Sequence, residues 1–209
     1  MNAFPDAGYS SFRGLCERAP SQLGITPATY QRGGKGAQVN FTIMPCSLGK
    51  ISVGKILVAG TPNGVCSVSL GDTTKALEAE LRREFPSAQA QPRGTRLTEW
   101  AETVLKILEG QETLSDLPLD VQATAFQWKV WQALCSIPRG STLSYSQVAN
   151  LIGQPTAARA VARACATNPI ALIVPCHRVV RGDGSMGGYR WGMDKKKSLL
   201  ACEKEGTTI

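Results

Sequence analysis

The sequence has 209 residues, 43% of them hydrophobic and 19% charged, which excludes both a highly charged disordered tail and a low-complexity fibre. It has no apolar run of about 18 residues and no basic N-terminal segment followed by an apolar stretch, so we expect no membrane association and a cytoplasmic location. The net charge of +7 arises wholly from residues 122–209, which carry eleven Lys or Arg and four Asp or Glu, because residues 1–121 hold twelve of each sign. Such a basic half predicts a polyanionic partner such as nucleic acid, or else a solvated basic surface.

The seven cysteines form no recognisable framework. Their number is odd and no C-x-x-C pair occurs, which argues against a disulfide scaffold and against a zinc ribbon. The single histidine, His177, cannot build a histidine-rich metal site. We therefore expect reduced thiols, most of them buried as small hydrophobic residues, and no bound metal.

The first 121 residues divide into an appendage and a small domain. Residues 1–35 combine a weak helical stretch with a basic, glycine-rich linker, and we place the domain at residues 36–121. Three segments in this domain have the composition of strands and predict an antiparallel meander, with a tight turn at Pro62-Asn63-Gly64. The segments are Val39–Met44, Ile51–Val58 and Val65–Leu70.

Two helices follow these strands in the predicted order. Apolar residues near one face predict a helix over Thr73–Phe85, and a firmer apolar period predicts a second helix from Leu97 to Leu108. The residues between them read as a loop, and Gly110 stands where a C-cap residue would. Leu117–Val121 is either a last strand or a linker.

Residues 122–209 predict a second, helical domain. Thr124 caps a helix that runs to Ile137, and Ser144-Tyr145-Ser146-Gln147 has the spacing of a capping box that opens a short helix to Ile152. A helix of small residues over Thr156–Thr167 completes a helix-turn-helix shape. Its alanines would allow close approach to a DNA groove and its arginines would make contacts, although a tightly packed helix pair with solvent-facing arginines gives the same pattern. The residues concerned are Ala157, Ala158, Arg159, Ala160 and Arg163.

A cysteine and a histidine stand side by side after an apolar segment. Ile170–Val174 predicts a buried strand or core segment, and it leads directly to Cys176 and His177. A free thiol has a pKa of about 8.5, so a nucleophilic cysteine needs a nearby base, and Cys176 alone among the cysteines has one beside it in sequence. A buried, inert cysteine is the alternative interpretation.

The segment Pro175-Cys176-His177-Arg178-Val179 resembles the active-site signature of the O6-alkylguanine-DNA alkyltransferases. The similarity covers residues 39–209 and looks most like the C-terminal half of the bacterial Ada-type methyltransferases. Residues 8–34 are similar to the end of the AraC-type DNA-binding module that precedes that half, but the cysteine-rich zinc domain is absent, so we do not expect transcriptional activation. The further matching residues are Phe126–Ile137, Tyr145, Arg159, Asn168, Arg181–Gly184, Gly188–Gly192 and Glu203.

The resemblance implies both a fold and a reaction. It implies a small α/β domain with an antiparallel, ribonuclease H-like sheet, followed by a helical domain with a winged helix-turn-helix. It also implies direct, irreversible transfer of a methyl group from O6-alkylguanine, and from O4-alkylthymine, to the protein's own cysteine after the base is flipped out of double-stranded DNA. On this basis we expect a monomer that needs no cofactor and acts once.

The resemblance also assigns roles to individual residues. Cys176 would accept the methyl group, His177 would act as its base through a water, and Glu203 would orient and charge the imidazole. Glu203 lies four residues after the apolar Leu199, which places it on the core face of the last helix rather than among the lysines at positions 195–197. The remaining roles are a proton donor to the base, a brace for the site and a wedge in the DNA stack, implied for Tyr145, Asn168 and Arg159.

The pocket for the alkylated base is implied to include a loop near the end of the chain. Within it, Trp191 occupies a position where relatives that accept benzyl groups tend to have a small residue, so we expect a narrow pocket that favours methyl groups. Trp191 could instead point into the core. The implied pocket residues are Tyr145, Val179, Tyr189, Arg190 and Trp191.

Two other functions rank below alkyl transfer. A DNA-damage-responsive regulator of the Ada/AraC type would use the helix-turn-helix remnant, but the AraC-type module is incomplete. A cysteine hydrolase would use Cys176 and His177, but no nucleophile elbow or oxyanion loop is recognisable.

Overall fold

The computed structural model describes residues 38–48, 51–92, 95–109, 111 and 117–205. The predicted appendage of residues 1–35 and the predicted C-cap at Gly110 lie outside the described residues. The described chain is a mixed α/β protein in which a sheet-containing half precedes a helical half. None of its described helices has the length and apolar character that crossing a membrane requires.

Four strands form the sheet of the first half. Strands β1 (Gln38–Leu48), β2 (Ile51–Thr61) and β3 (Gly64–Gly71) pair antiparallel, which confirms the predicted meander. Strand β4 (Gln89–Pro92) pairs in parallel with β1, so the order is β3-β2-β1-β4 and the loop predicted after the first helix is wrong for these residues. Gln89–Pro92 has no alternation of apolar and polar residues. It forms a strand because the backbone groups along the outer edge of β1 are available to pair with it.

One helix covers each face of this sheet. Helix α1 (Thr74–Glu84) is capped by the Thr73 hydroxyl and packs Leu77 and Leu81 into a core cluster on one face. Helix α2 (Thr95–Glu109) buries its apolar stripe on the other face. Both helices are where the apolar periods predict them, and each face of the sheet is thereby removed from water.

The second half consists of four α-helices and two very short strands within the described residues. Thr124 caps helix α3 (Ala125–Cys135), and a capping box at Ser144 opens helix α4 (Tyr145–Leu151), as the sequence predicts. Thr124 also forms a complete capping box with Gln127, which is not among the predictions from sequence. Helix α5 (Ala158–Ala166) packs on α4, and α6 (Met193–Glu205) ends the described chain. The short strands, β5 (Leu143–Ser144) and β6 (Val179–Val180), pair in parallel.

The two halves meet along β3, which is the edge strand of the sheet. Val65 bridges to Leu119, and Val68 bridges to Ile170, with hydrogen bonds of 2.8 Å from Val68 N to Pro169 O and 3.0 Å from Ala171 N to Val68 O. One buried cluster therefore runs from β2 and β3 through α3, α5 and α6. The strand interpretation of Ile170–Val174 is wrong: after the bridge at Ile170 the chain forms a buried turn, so the core-segment interpretation is correct.

Candidate active site

The turn between Ile170 and Val174 positions Cys176 in the protein interior. Val174 N donates to Ile170 O at 3.1 Å, and Cys176 N donates to Val174 O at 2.8 Å. Leu172 within this turn has a φ of 69°, a left-handed conformation that is costly for a leucine and is retained because the side chain is buried. A single 3-10 turn over Cys176–Arg178 follows, and it buries all three of its side chains.

Asn168 connects this turn to the thiol. Its side chain is fully buried; Nδ2 donates to Val174 O at 3.0 Å and lies 3.3 Å from Sγ of Cys176, while Oδ1 accepts from Ile170 N at 3.0 Å. The amide thus holds both ends of the turn and donates a hydrogen bond toward the sulfur. Such a bond stabilises a thiolate more than a thiol.

His177 and Glu203 form a buried pair. His177 Nε2 lies 2.9 Å from Glu203 Oε1, and both side chains are about 1% exposed. With the proton on Nε2 donated to the carboxylate, Nδ1 is the acceptor nitrogen, and it has no hydrogen-bond partner within the described residues. Glu203 lies on α6 on the same face as the buried Leu199, where the spacing predicts it.

Arg178 also belongs to this site, although the sequence motif Pro175–Val179 that contains it gives it no predicted role. Its Nε and Nη2 donate to both oxygens of Glu203 at 2.9–3.2 Å, and its Nη1 donates to Ile137 O at 2.7 Å. Gly140 N also donates to Glu203 Oε2, at 3.3 Å. Burial alone would raise the pKa of Glu203, but the hydrogen bonds and charges of His177 and Arg178 outweigh it and lower the pKa to about 2.

The thiol and the imidazole are both uncharged in the resting protein. Burial raises the pKa of Cys176, although the Asn168 bond and the charges of Lys196 and Arg190 oppose it. Burial also lowers the pKa of His177 below 6.5, because it outweighs the hydrogen bond and charge of Glu203. A protonated thiol and a neutral base are therefore neighbours in sequence on one buried 3-10 turn.

Lys196 is a second residue whose place the sequence did not reveal. The sequence-based prediction that the lysines at positions 195–197 lie apart from the core face of this helix is wrong for Lys196. The residue is fully buried, and Nζ donates to Val179 O at 2.6 Å and also to Met186 O. Burial lowers its pKa. Lys196 lies seven residues before Glu203, and residues seven apart lie on the same side of an α-helix. This spacing from Glu203 is the sequence signal that places Lys196 on the core-facing side of α6.

Tyr145 approaches the same site from the start of α4. The pairing of β5 with β6 places Tyr145 beside the segment that follows the Cys176–Arg178 turn. Its side chain is half-buried, and burial together with the neighbouring thiols of Cys165 and Cys176 raises its pKa. Gly187 has a φ of +62°, and a Cβ there would lie 3.0 Å from the Tyr145 hydroxyl, so a glycine is needed for this approach.

Three of the predicted pocket residues belong to or pack against the buried cluster that contains Cys176: Val179, Tyr189 and Trp191. Val179 is buried, and Tyr189 and Trp191 pack edge-to-face with ring centroids 5.2 Å apart. The Tyr189 hydroxyl and Trp191 Nε1 are buried without a hydrogen-bond partner among the residues the structure describes. The Arg190 guanidinium pairs with Glu80 and Glu84 on α1 and also lies over the Trp191 ring, with Cζ 5.5 Å from the ring centroid.

The predicted DNA-contacting residues lie at the start of helix α5 and along its exposed side. Arg159, Ala160 and Arg163 are exposed, and Ala157 and Ala158 are partly exposed. The opposite side of α5 is anchored, because Trp131 Nε1 on α3 donates to Ala164 O at 3.1 Å. Within the described ranges, no three His, Cys, Asp or Glu side chains lie close enough together to hold a metal ion.

The lowered pKa of His177 leads to a prediction about pH. Because burial lowers the pKa of this imidazole, the rate of any reaction in which His177 accepts the Cys176 proton should decline at a lower pH than it would with an ordinary histidine, whose pKa is about 6.5. Single-turnover rates measured at a series of pH values on both sides of pH 6.5 test this prediction, with circular dichroism at each pH to verify folding. A rate that already halves near pH 6.5 would contradict the assignment of His177 as a buried neutral base.

Fold and site together define an α/β protein that buries a cysteine thiol between an asparagine amide and a histidine–carboxylate pair. The family model described as 6-O-methylguanine DNA methyltransferase, DNA binding domain, matches residues 125–205. The inducible methylated-DNA–protein-cysteine methyltransferase of Bacillus subtilis is 38% identical over 154 residues, covering 72% of this chain and 85% of that protein. This chain belongs to the methylated-DNA–protein-cysteine methyltransferase family, so the resemblance found in the sequence is confirmed.

Longer relatives and solved structures agree with this membership. The bifunctional transcriptional activator/DNA repair enzyme Ada of Escherichia coli is 43% identical over 200 residues, which are 96% of this chain but 55% of that protein. This chain thus spans little more than half the length of the Ada protein. The O6-methylguanine methyltransferase of Mycobacterium tuberculosis superposes with a TM-score of 0.64 at 31% identity, over 82% of this chain and 96% of that one. A structure titled as the Mycobacterium tuberculosis OGT in complex with DNA gives 0.62 at 32% identity, over 80% and 94%.

Proposed function

We propose that this protein repairs alkylated DNA by transferring an alkyl group from O6 of guanine to Sγ of Cys176, once and irreversibly. One observation carries the proposal: a buried thiol, bonded by Asn168, stands beside a neutral His177 whose Nε2 is fixed by an ionised Glu203. A cysteine needs an adjacent base to become a thiolate at neutral pH, and this arrangement supplies one. O4-alkylthymine offers the same alkyl–oxygen bond and is proposed as a second substrate.

The transfer begins at the thiol proton. His177 Nδ1, which has no partner within the described residues, accepts that proton through a water, and Glu203 stabilises the imidazolium that forms. The thiolate then attacks the alkyl carbon; the carbon–O6 bond breaks, and its electron pair goes to the guanine oxygen. Lys196 and Asn168 stabilise the negative sulfur during this step, because one is a nearby cation and the other a hydrogen-bond donor.

Tyr145 is proposed as the group that neutralises the departing base. Its raised pKa keeps the hydroxyl protonated at neutral pH, so it has a proton to donate toward guanine. The product on Cys176 is a thioether, which has no good leaving group, and the alkyl group therefore stays on the protein. One molecule of protein repairs one base.

The DNA surface is proposed to be α5 and the basic residues around it. A base inside the duplex stack has to be flipped out to reach a buried cysteine. We propose that α4 and α5 act as a helix-turn-helix within a winged domain of residues 122–209, and that the sheet domain of residues 36–121 has a ribonuclease H-like fold. Exposed Arg159, near the start of α5, would fill the gap that the flipped base leaves. The protein is proposed to act as a monomer.

Arg159→Ala tests this wedge. We expect the variant to transfer methyl groups from duplex DNA about tenfold more slowly at saturating DNA, while its reaction with free O6-methylguanine base is unchanged. Arg163→Ala, one turn further along α5, is the matched control and weakens DNA binding without changing the rate at saturation. Equal loss on duplex and free base in Arg159→Ala would show that Arg159 is no wedge.

Trp191→Gly tests the width of the pocket. Trp191 is buried against Tyr189, and removing its ring opens space beside the proposed base site. We expect inactivation by free O6-benzylguanine to become roughly tenfold to a hundredfold faster, because overfilling a packed site costs about 1–3 kcal/mol. Trp128→Gly, which removes another indole outside this pocket, serves as the control. If the unmodified protein is inactivated as readily as Trp191→Gly, Trp191 belongs to the core alone.

Stoichiometry separates the proposed reaction from the other candidates. Titrating the protein with a duplex that contains one O6-methylguanine should remove methyl groups up to one per protein and then stop. A cysteine hydrolase would turn over repeatedly. A regulator of the Ada/AraC type, which the name of the Escherichia coli relative favours, would bind DNA without consuming the lesion.

A further inference from the structure

Arg190 connects the loop near the proposed pocket to the other half of the molecule. Its Nε donates to Glu80 Oε1 at 3.0 Å, and its Nη2 lies 3.0 Å from both Glu80 Oε1 and Glu84 Oε2. Both glutamates lie on α1, one turn apart. A guanidinium held by two carboxylates has a fixed orientation, which a single surface ion pair does not provide.

This contact is partly buried rather than a surface pair. The Glu84 side chain is 7% exposed, that of Glu80 22% and that of Arg190 27%. Ser67 on β3 lies behind Glu84, with its hydroxyl 3.5 Å from Oε2. Glu84 is therefore held between the sheet and Arg190, and the two halves of the molecule constrain each other at this point.

The same guanidinium covers one face of Trp191. The Arg190 Cζ lies 5.5 Å from the centroid of the indole, and the indole in turn packs edge-to-face on Tyr189, with the ring planes 66° apart. Trp191 belongs to the buried cluster that contains Cys176, and Tyr189 packs against that cluster. We call Tyr189 and Trp191 the aromatic wall.

The side chains of the aromatic wall make no hydrogen bond within the described residues that would fix their orientation. The Tyr189 hydroxyl and Trp191 Nε1 are buried, yet neither has a partner in the part of the chain that the structure describes. The loop that carries them lacks helix and strand between β6 and α6. Packing must therefore set the orientation of Tyr189 and Trp191. The Arg190 guanidinium, which lies over the Trp191 ring, is part of that packing.

We infer that Glu80 and Glu84 are positioning residues for the alkyl-transfer site, which they influence through Arg190 and the aromatic wall. Helix α1 thereby gives the sheet half a role in selecting the alkyl group that reaches Cys176. The inference rests on the function proposed above. It predicts that releasing Arg190 from α1 lets Trp191 move and makes room for bulkier alkyl groups.

A second ion pair between the halves provides a matched control. Lys195 Nζ lies 2.7 Å from Asp72 Oδ1, which joins α6 to the segment before α1. The Asp72 side chain is 80% exposed, and its ion-pair partner is Lys195 rather than Arg190. Asp72→Asn thus removes an ion pair between the halves while leaving the partners of Arg190 in place.

The test compares two substrates in three proteins: the unmodified chain, Glu80→Gln/Glu84→Gln and Asp72→Asn. The measured quantity is the rate with free O6-benzylguanine divided by the rate with a duplex containing O6-methylguanine. We expect this ratio to rise about threefold to tenfold in the double variant, the range that loss of one cation–π contact allows, and to stay unchanged in Asp72→Asn. A general loss of stability would slow both reactions and leave the ratio where it is, and that result would overturn the inference.

A second measurement does not depend on the reaction. Acrylamide quenching of tryptophan fluorescence, with Trp191→Phe used to subtract the other indoles, reports the exposure of Trp191. Quenching should increase in the double variant and in Arg190→Ala, and less in Arg190→Lys, which keeps a positive charge between the glutamates. Unchanged quenching in the double variant would overturn this inference. Failure of the unmodified protein to transfer a methyl group would instead contradict the proposed function, so the two failures are distinguishable.

Discussion

We expect Cys176→Ala to abolish the proposed uptake of methyl groups from O6-methylguanine DNA. Cys165, whose titration is coupled to that of Cys176, has no histidine beside it in sequence. Burial also raises its pKa strongly. The variant should bind duplex DNA as tightly as the unmodified protein, because affinity comes from phosphate contacts on the basic half rather than from the sulfur. Single-turnover transfer and a DNA-binding titration measure the two effects.

Cys165→Ala is the matched control for this variant. It removes a buried thiol of the same size from α5, and methyl uptake should continue at one group per protein. Uptake by Cys176→Ala would mean that another cysteine accepts the methyl group.

Glu203→Gln should damage both stability and rate. The carboxylate is about 1% exposed and is shared by His177, Arg178 and the Gly140 amide. Removing its charge leaves the Arg178 guanidinium buried without its counter-charge, which typically costs about 3–5 kcal/mol of unfolding free energy. It also removes the charge that stabilises the imidazolium, and we expect transfer to slow roughly a hundredfold to a thousandfold.

Denaturant unfolding and single-turnover rates measure these two losses. Asp194→Asn is the control, because Asp194 lies on the same helix but is exposed, and its loss should cost less than about 1 kcal/mol. A Glu203→Gln protein as stable and as fast as Asp194→Asn would remove Glu203 from the site.

Acid stability gives the same variant a separate signature. The folded-state pKa of Glu203 is lowered from 4.5 to about 2, so ionised Glu203 contributes stability above pH 4.5 that is lost as pH falls toward 2. The contribution is of the order of 3 kcal/mol. In Glu203→Gln the unfolding free energy should therefore vary much less with pH over this interval than it does in the unmodified protein.

The predictable parts of the fold are those with a local physical signal. Strands β1 to β3 and helices α1 to α3 show apolar periods, and the boxes at Thr124 and Ser144 satisfy the first amides of their helices. Strand β4 carries no such signal, because Gln89–Pro92 is mostly exposed and is set by pairing with a strand far back in the chain. Ile170–Val174 is apolar throughout, and an apolar run cannot distinguish a strand from a buried turn.

The site was predictable only in part, for a similar reason. Cys176 and His177 are neighbours in sequence, and Glu203 follows a core leucine, so each has a short-range signal. Lys196 lies in a run of three lysines, and only the fold shows that its side chain is buried. The partners of Arg190 are more than 100 residues away, at separations of 110 and 106, and a contact of that range leaves no pattern in one sequence.

The most direct test is the mass of the protein after reaction with a duplex that contains one O6-methylguanine. We expect the intact mass to increase by one methyl group, and peptide mapping to place that group on the peptide that contains Cys176, with the lesion converted to guanine in equal amount. An unmodified protein beside repaired DNA, or a methyl group on another residue, would contradict the account.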